Sequence, residues 1–201
     1  MTATKRTTPR RPSTGRQQRG DRTRELLIEE TVRCIREEGF SAASARHIIE
    51  RAGVSWGVIQ HHFGDRDGLL TAVIEDAVDR LIASLEALSD PDAATTTTEE
   101  LVRATWEAFA NPKAMAGLEI LIATKDLRHG FGTTYVERLG GALAGLTQRL
   151  NAGGDGGQGA TLAMLLWTTP VAMMIAEMFT RLPLDTQDAQ AAITALIDGD
   201  R

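Results

Sequence analysis

The residues with chemistry to offer are few, and their spacing decides most of what they can do. Cys34 is the sole cysteine of the 201-residue chain, so an intrachain disulfide or a cysteine-based zinc site is not expected. It sits on an apolar helical face with no resolving thiol near it, which reads as a small core residue rather than a redox sensor. His61 and His62 are adjacent, and consecutive side chains on a helix point in different directions. Metal-binding histidines on one helix take spacings of three or four, and His47 and His129 add none, so no metal site is expected. The run Gly153, Gly154, Asp155, Gly156, Gly157, Gln158, Gly159 lacks the Gly-Lys-Ser/Thr ending of a phosphate loop and reads as a connection. With no nucleophile–base constellation in view, the chain is read as a non-enzyme without a cofactor.

One cluster remains, and its chemistry is recognition. Between Ser44 and Phe63 two short helical patterns flank the turn Ala52-Gly53-Val54. That is the helix-turn-helix arrangement that places one helix in a DNA major groove. Ser44 and Ser55 are the N-cap residue types for the two helices. Gly53 tolerates the positive φ a tight turn needs. Ile48, Ile49, Val54 and Ile59 face inward, which turns Trp56, Gly57, Gln60 and His61 outward. A helix this short with Gly57 inside it gains little from intrinsic propensity. Packing of Val58, Ile59 and Phe63 must hold it, leaving its outer face free for DNA.

Charge supports that reading by its distribution. The chain carries a net −5, but residues 1–70 hold 13 Lys/Arg against 9 Asp/Glu, a net +4, and the remainder carries −9. A basic end on an acidic body suggests that one end alone meets phosphate. Residues 1–21 bring Lys5, Arg6, Arg10, Arg11, Arg16 and Arg19 against Asp21, with two prolines and no apolar periodicity. They are expected to form a disordered arm, either a solubilising tail or a segment that follows the DNA backbone.

The elements that must position this cluster are helical throughout. The chain is 42% hydrophobic with only 4% aromatic residues, and Ala, Leu and Met favour helix. From Arg22 a first helix presents Ile28, Val32 and Ile35 beside Leu27, Thr31 and Cys34, and Gly39 ends it as a left-handed cap. Asp65 caps a long helix with a wide apolar stripe from Leu69 to Leu85. Residues 89–98 read as a linker, and further helices are expected at about 99–110, 112–128, 133–150, 160–181 and 186–197. The fold is therefore expected to be all-α, with about nine helices. A three-helix domain at 22–70 would precede a larger helical domain at 71–201. The stretch from Leu162 to Ala176 is shorter than the ~20 residues of a membrane span and reads as a buried helix that Pro170 kinks or interrupts. The polar N-terminus shows no signal peptide, and a cytoplasmic protein with no membrane partner is expected.

The ordered set Gly39-Phe40, Ser44-Ala45-Arg46-His47-Ile48, Ala52-Gly53-Val54-Ser55, Gly57-Val58-Ile59-Gln60-His61-His62-Phe63 and Asp65-Arg66-Asp67-Gly68-Leu69-Leu70 resembles the DNA-binding region of the tetracycline-repressor (TetR) family. The resemblance covers about residues 22–70. It implies a homodimer on a pseudo-palindromic double-stranded DNA operator, acting as a repressor released by a small-molecule effector. Ser44 and Arg46 match phosphate- or base-contacting positions. Ser55, Trp56, Gly57, Gln60 and His61 match the groove-facing set, and His62 a position near the backbone. Arg66 matches a lysine that meets phosphate at a helix N-terminus. Gln60 stands where tyrosine is frequent and can pair with adenine instead. Trp56 stands where a small or basic residue is usual. The resemblance also implies dimerisation through about 160–197.

For the effector, Trp106, Phe109, Met115, Trp167 and Met173 could line an apolar cavity or simply fill the core or dimer interface. Glu119, in an otherwise apolar run, reads either as a pocket carboxylate or as an exposed or paired side chain. The expected mechanism is a population shift in the spacing of two recognition helices, about 34 Å apart on DNA. The helix from Asp67 to Leu88 would be the lever. Two other readings stay open: a ligand-independent architectural or activating DNA-binding protein, and a helical ligand-binding or enzymatic dimer with a vestigial helix-turn-helix.

Overall fold

The computed structural model describes residues 15–90, 97–124, 133–151, 158–180 and 184–199. Among them are nine α-helices and no strand. They are α1 (Gly15–Glu38), α2 (Ala45–Ala52), α3 (Trp56–Phe63), α4 (Arg66–Ser89), α5 (Thr98–Phe109), α6 (Pro112–Ala123), α7 (Thr133–Asn151), α8 (Gly159–Thr180) and α9 (Gln187–Gly199), with a short 3-10 turn at Phe40–Ala42. The all-α expectation holds.

Helix α4 joins the two halves. Its stripe of buried residues starts with Leu69, Leu70, Val73 and Ile74, which pack with Leu27, Ile28, Ile35, Ile48 and Ile59 of α1–α3. Further along, Leu81, Ile82 and Leu85 pack with Phe109 and Met174. Leu88 reaches a third cluster with Trp106, Leu146, Leu166 and Ile197. The first core does not stop at residue 70, because Ala116 and Ile120 of α6 belong to it. The N-terminal unit thus borrows part of its floor from the larger domain.

Several expectations change in detail. Helix α1 begins at Gly15, not Arg22, so residues 15–21 of the expected arm are helical. Local side-chain bonds sustain this extra length: Arg19 Nε donates to the Gly15 carbonyl (3.1 Å) and Thr23 Oγ1 to that of Arg19 (2.9 Å). The rest of the arm, and residues 91–96 of the linker expected at 89–98, lie outside the described residues, while Ser89 ends α4 and Thr98 begins α5. Gly39 has a positive φ of 85° but an extended ψ of 163°, so it starts the 3-10 turn in a glycine-only region rather than as a left-handed cap. Helix α5 carries a full capping box: Thr97 Oγ1 accepts from the Glu100 N–H and Glu100 reaches back to the Thr97 N–H. Helix α6 ends at Ala123, short of the expected 128.

Pro170 does not interrupt α8, which is helical from Gly159 to Thr180. The hydroxyls of Thr168 and Thr169 donate to the Met164 and Leu165 carbonyls, both at 2.7 Å, beside the amide hydrogen bond that proline cannot make. At 22 residues α8 is long and apolar enough to cross a membrane by length and composition, the only such helix among the described residues. It is not the deeply buried helix expected, because only 28% of its apolar window is buried.

The N-terminal end of α6 is pinned by charge. Lys113 Nζ lies 2.5 Å from Glu29 Oε1 of α1 and 2.8 Å from Asp76 Oδ2 of α4. Burial alone would push the Asp76 carboxyl up, but hydrogen bonds from Lys113 and Arg80 outweigh it and hold it below the usual range. Burial likewise pulls the Lys113 ammonium down, and Asp76 and Glu29 reverse the sign and raise it. A carboxylate with a depressed pKa lends stability above its unfolded value and loses it as pH falls through the folded one. Replacing Asp76 with Asn is expected to lower urea stability near neutral pH. The gap from wild type should close as pH drops below about 4, near the unfolded aspartate value. A gap independent of pH would contradict the assignment.

Candidate nucleic-acid interface

The turn between α2 and α3 is built by Gly53, whose backbone is left-handed (φ 66°, ψ 31°) and whose N–H closes on the Ile49 carbonyl. Val54 N–H donates to the same oxygen at 3.2 Å. Ser44 caps α2 by accepting the His47 N–H at 3.2 Å. Ser55 occupies the corresponding position of α3 but makes no side-chain capping bond, unlike the expected cap. Beneath α3, Ile59 is fully buried, with Val58 and Phe63 packed against the same core. Propensity does not hold this helix; its inner face does.

That packing leaves one outward surface. Ser44, Arg46, Ser55, Trp56, Gly57, Gln60 and His61 are all exposed. Trp56 keeps 46% of its surface in solvent, a large apolar group covered on one side only. Arg46 is 90% exposed along its side chain and rests on Glu50 at 2.9 Å, a surface pair of a kind that adds little stability and yields easily to a stronger anion. The outer face is thus polar, hydrogen-bonding and apolar in turn, which suits base edges and thymine methyls.

Two expected contact residues are partly turned inward. His62 is half-buried, with Gly20 of α1 beside its ring. Burial, then His61 and Arg24, lower its pKa and favour a neutral ring. Arg66 donates from Nε to the Ala43 carbonyl at 2.8 Å, and its guanidinium lies 5.1 Å from the Phe40 ring centroid. It braces the start of α4 against the loop before α2.

The sequence reading passed over Arg51. This α2 guanidinium, 20% exposed, reaches three α1 carboxylates: Glu30 at 2.7 Å, Glu37 at 2.7 Å, and Glu38. Those hydrogen bonds, led by Glu37 and Glu30, raise its pKa further. The acidic spacing 30, 37 and 38 marks one helix face and was the available signal. Gly68 was also missed as a constraint. A Cβ there would collide with the Phe63 carbonyl oxygen, because the α3–α4 corner brings the two backbones together. Asp65 closes that corner by accepting the Gly68 N–H at 2.8 Å.

The six candidate effector residues do not form one site. Phe109 and Trp167 line a cavity of about 190 Å³, together with Leu118, Leu139, Val171 and Met174. Met115 packs against the same cluster. Trp106 is buried in the neighbouring core, against which Met173 packs. Helix phase separates the two methionines at 173 and 174, so the cavity takes Met174 rather than Met173. Glu119 faces the other way: its Oε1 accepts the Phe40 N–H at 2.8 Å, across 79 residues of sequence. It is a paired carboxylate joining α6 to the 3-10 turn, because that turn leaves an amide that needs an acceptor.

Replacing Gly68 with Ala tests the corner. The expected result is a loss of about 1–3 kcal/mol, the scale of core overpacking, seen as a lower thermal midpoint. A variant as stable as wild type would show that the corner can open.

Comparison with known proteins points the same way. Residues 27–73 match the family described as bacterial regulatory proteins, tetR family. Over 71 residues the chain is 41% identical to the HTH-type transcriptional regulator BetI 2 of Chromohalobacter salexigens, covering 33% of this chain and 34% of the relative. Over 74 residues it is 40% identical to BetI of Klebsiella pneumoniae, covering 35% and 38%. The aligned segment thus spans little more than a third of these relatives' length. Three-dimensional similarity extends further. A transcriptional regulator from Rhodococcus sp. Rha1 matches with a TM-score of 0.61 at 21% identity, over 88% of this chain and 95% of that one. PfmR, a TetR family transcriptional regulator from Thermus thermophilus, matches with a TM-score of 0.57 at 20% identity, over 86% and 94%. At such identities the likeness establishes the fold, and the sequence match establishes the helix-turn-helix. Residues 27–73 thus match the helix-turn-helix segment of the tetR family of bacterial regulatory proteins, on a helical fold shared with solved transcriptional regulators.

Proposed function

We propose that the chain is a sequence-specific transcriptional repressor that binds a pseudo-palindromic DNA operator as a homodimer and is released by a small-molecule effector. The observation that carries this reading is the outward surface of α2 and α3. It combines Arg46, Gln60, His61 and a half-exposed Trp56 on a helix-turn-helix whose inner face is packed against the core. Arg46 supplies a phosphate or guanine contact, Gln60 an adenine contact and Trp56 a thymine-methyl contact. In this reading Arg66 and His62 hold the two helices in register.

The dimer is assigned to α8 and α9. Met164, Phe179 and Leu196 are exposed at 51%, 81% and 54%, on helices that already pack against each other. Burying these faces against a second copy removes a large apolar patch from water. Such a dimer sets the separation of two recognition helices.

The effector site is the cavity between α4, α6, α7 and α8. Its lining is almost entirely apolar, and its size matches a small uncharged ring, as in a dry cavity of about 150 Å³ that accepts benzene. Helix α6 is the coupling element, because it contributes Gly117 and Leu118 to the cavity while Lys113 and Glu119 hold α1, α4 and the Phe40 amide. A ligand that displaces α6 acts on the recognition unit through those bonds as well as through α4. Its leverage is its differential affinity for the two arrangements.

Selection of random duplexes by the purified protein, at near-physiological salt, is expected to enrich a pseudo-palindrome. Arg46→Ala and Gln60→Ala should each cost about 1–3 kcal/mol of specific binding. Enrichment of no motif would defeat the proposal, and full binding by both variants would defeat the residue assignment. For coupling, benzene serves as a probe: it should raise the thermal midpoint of wild type and weaken operator binding. In Glu119→Leu it should still stabilise the protein, yet release DNA less. Equal release in that variant would remove Glu119 from the pathway.

A further inference from the structure

A group of metal-ligating side chains comes together where residue spacing predicts none. Cys34 and Glu38 stand one turn apart on α1, and His47 of α2 meets them. The Cys34 sulfur, a Glu38 carboxylate oxygen and a His47 ring nitrogen all lie within 4.8 Å of one another. His47 Nε2 is 2.9 Å from Glu38 Oε2. Cys34 is fully buried and, among the described residues, its thiol has no hydrogen-bond partner. Glu38 and His47 keep 37% and 36% of their side chains exposed, which leaves a route in from solvent.

We propose that Cys34, Glu38 and His47 form a binding site for a thiophilic divalent cation of the zinc class, clamping α2 onto α1 beneath the DNA-facing surface. The donor set is one sulfur, one nitrogen and one oxygen. That mixture suits zinc rather than magnesium or calcium, which take oxygen ligands. Zinc bonds of about 2.0–2.3 Å place tetrahedral donors roughly 3.3–3.8 Å apart, so small side-chain rotations close the site. Three protein ligands leave a fourth position for water, on the exposed side.

The surroundings fit the charge of the ion. Arg51 and Arg33 are the two guanidiniums bonded to the three carboxylates of Glu30, Glu37 and Glu38, a net −1. Ionising Cys34 brings the group to −2, which a divalent cation neutralises. Arg51 Nη1 bonds Glu38 Oε1 and leaves Oε2, the oxygen nearest His47, for the metal. A ligating carboxylate fixed by a hydrogen bond on its other oxygen is the usual outer-shell arrangement. On binding, neutral His47 adopts the tautomer with its single ring proton on Nδ1, so that Nε2 ligates the cation, and the Cys34 thiol proton passes to solvent.

Cobalt(II) reads this site without ambiguity because the chain has one cysteine. Titrating the metal-free full-length protein with cobalt(II) is expected to give a saturable 1:1 thiolate-to-cobalt charge-transfer band in the near ultraviolet. Zinc(II) should abolish it by displacement, and should raise the thermal midpoint. The band should vanish in Cys34→Ser. In His47→Gln and Glu38→Gln, both altered at part-exposed side chains, cobalt affinity should fall more than about tenfold with helical circular dichroism unchanged. Absence of the band in wild type overturns the proposal. So does a band of equal affinity in His47→Gln and Glu38→Gln, since the thiol would then bind metal alone.

Discussion

The structure depends on burying one continuous stripe. The apolar face of α4 is longer than either core it serves, and no single layer of helices could cover it. Its first turns are covered by α1, α2 and α3, its middle by α5, α6 and α7, and its last turn by the cluster around Trp106. Sliding or turning α4 would therefore expose apolar surface in two places at once, at about 25 cal/mol per Å² uncovered. The N-terminal helices and the rest of the chain are continuous in packing.

Given that anchor, the recognition surface is set by what holds α2 and α3 from behind. Ile48 and Ile59 supply burial, and Arg51 supplies direction through its bonds to α1 carboxylates. A planar guanidinium with several fixed donors suits such a hub better than a point charge would. The corner at Gly68 and the brace at Arg66 fix where α4 leaves. Everything rigid about the unit lies on its inner side, so the outer side chains are free to choose partners.

Helix α6, like α4, contributes both to the cavity and to the core of the N-terminal unit. Its cavity face is small and apolar, its opposite face carries the Glu119 and Lys113 contacts, and Ala116 and Ile120 complete the first core. In the proposed function, a ligand that shifted α6 would act on the Phe40 turn through the Glu119 bond.

The helical fold, the helix-turn-helix and its outward residues are legible from the residues alone. Those follow from local rules: apolar period, cap types and a glycine at the turn, each legible within a few positions. The inward faces of α1 and α4 and the caps at Ser44 and Asp65 came out as read, for that reason. Only the tertiary structure decided what depends on residues far apart in the chain. Glu119 answers an amide 79 residues away. Arg51 collects carboxylates up to 21 positions distant, and Cys34 meets a histidine from the next helix. Whether Met173 or Met174 faces the cavity turns on helix phase against partners that no periodicity names. Composition specifies which side chains must be buried or paired; only the packing of the helices selects their partners.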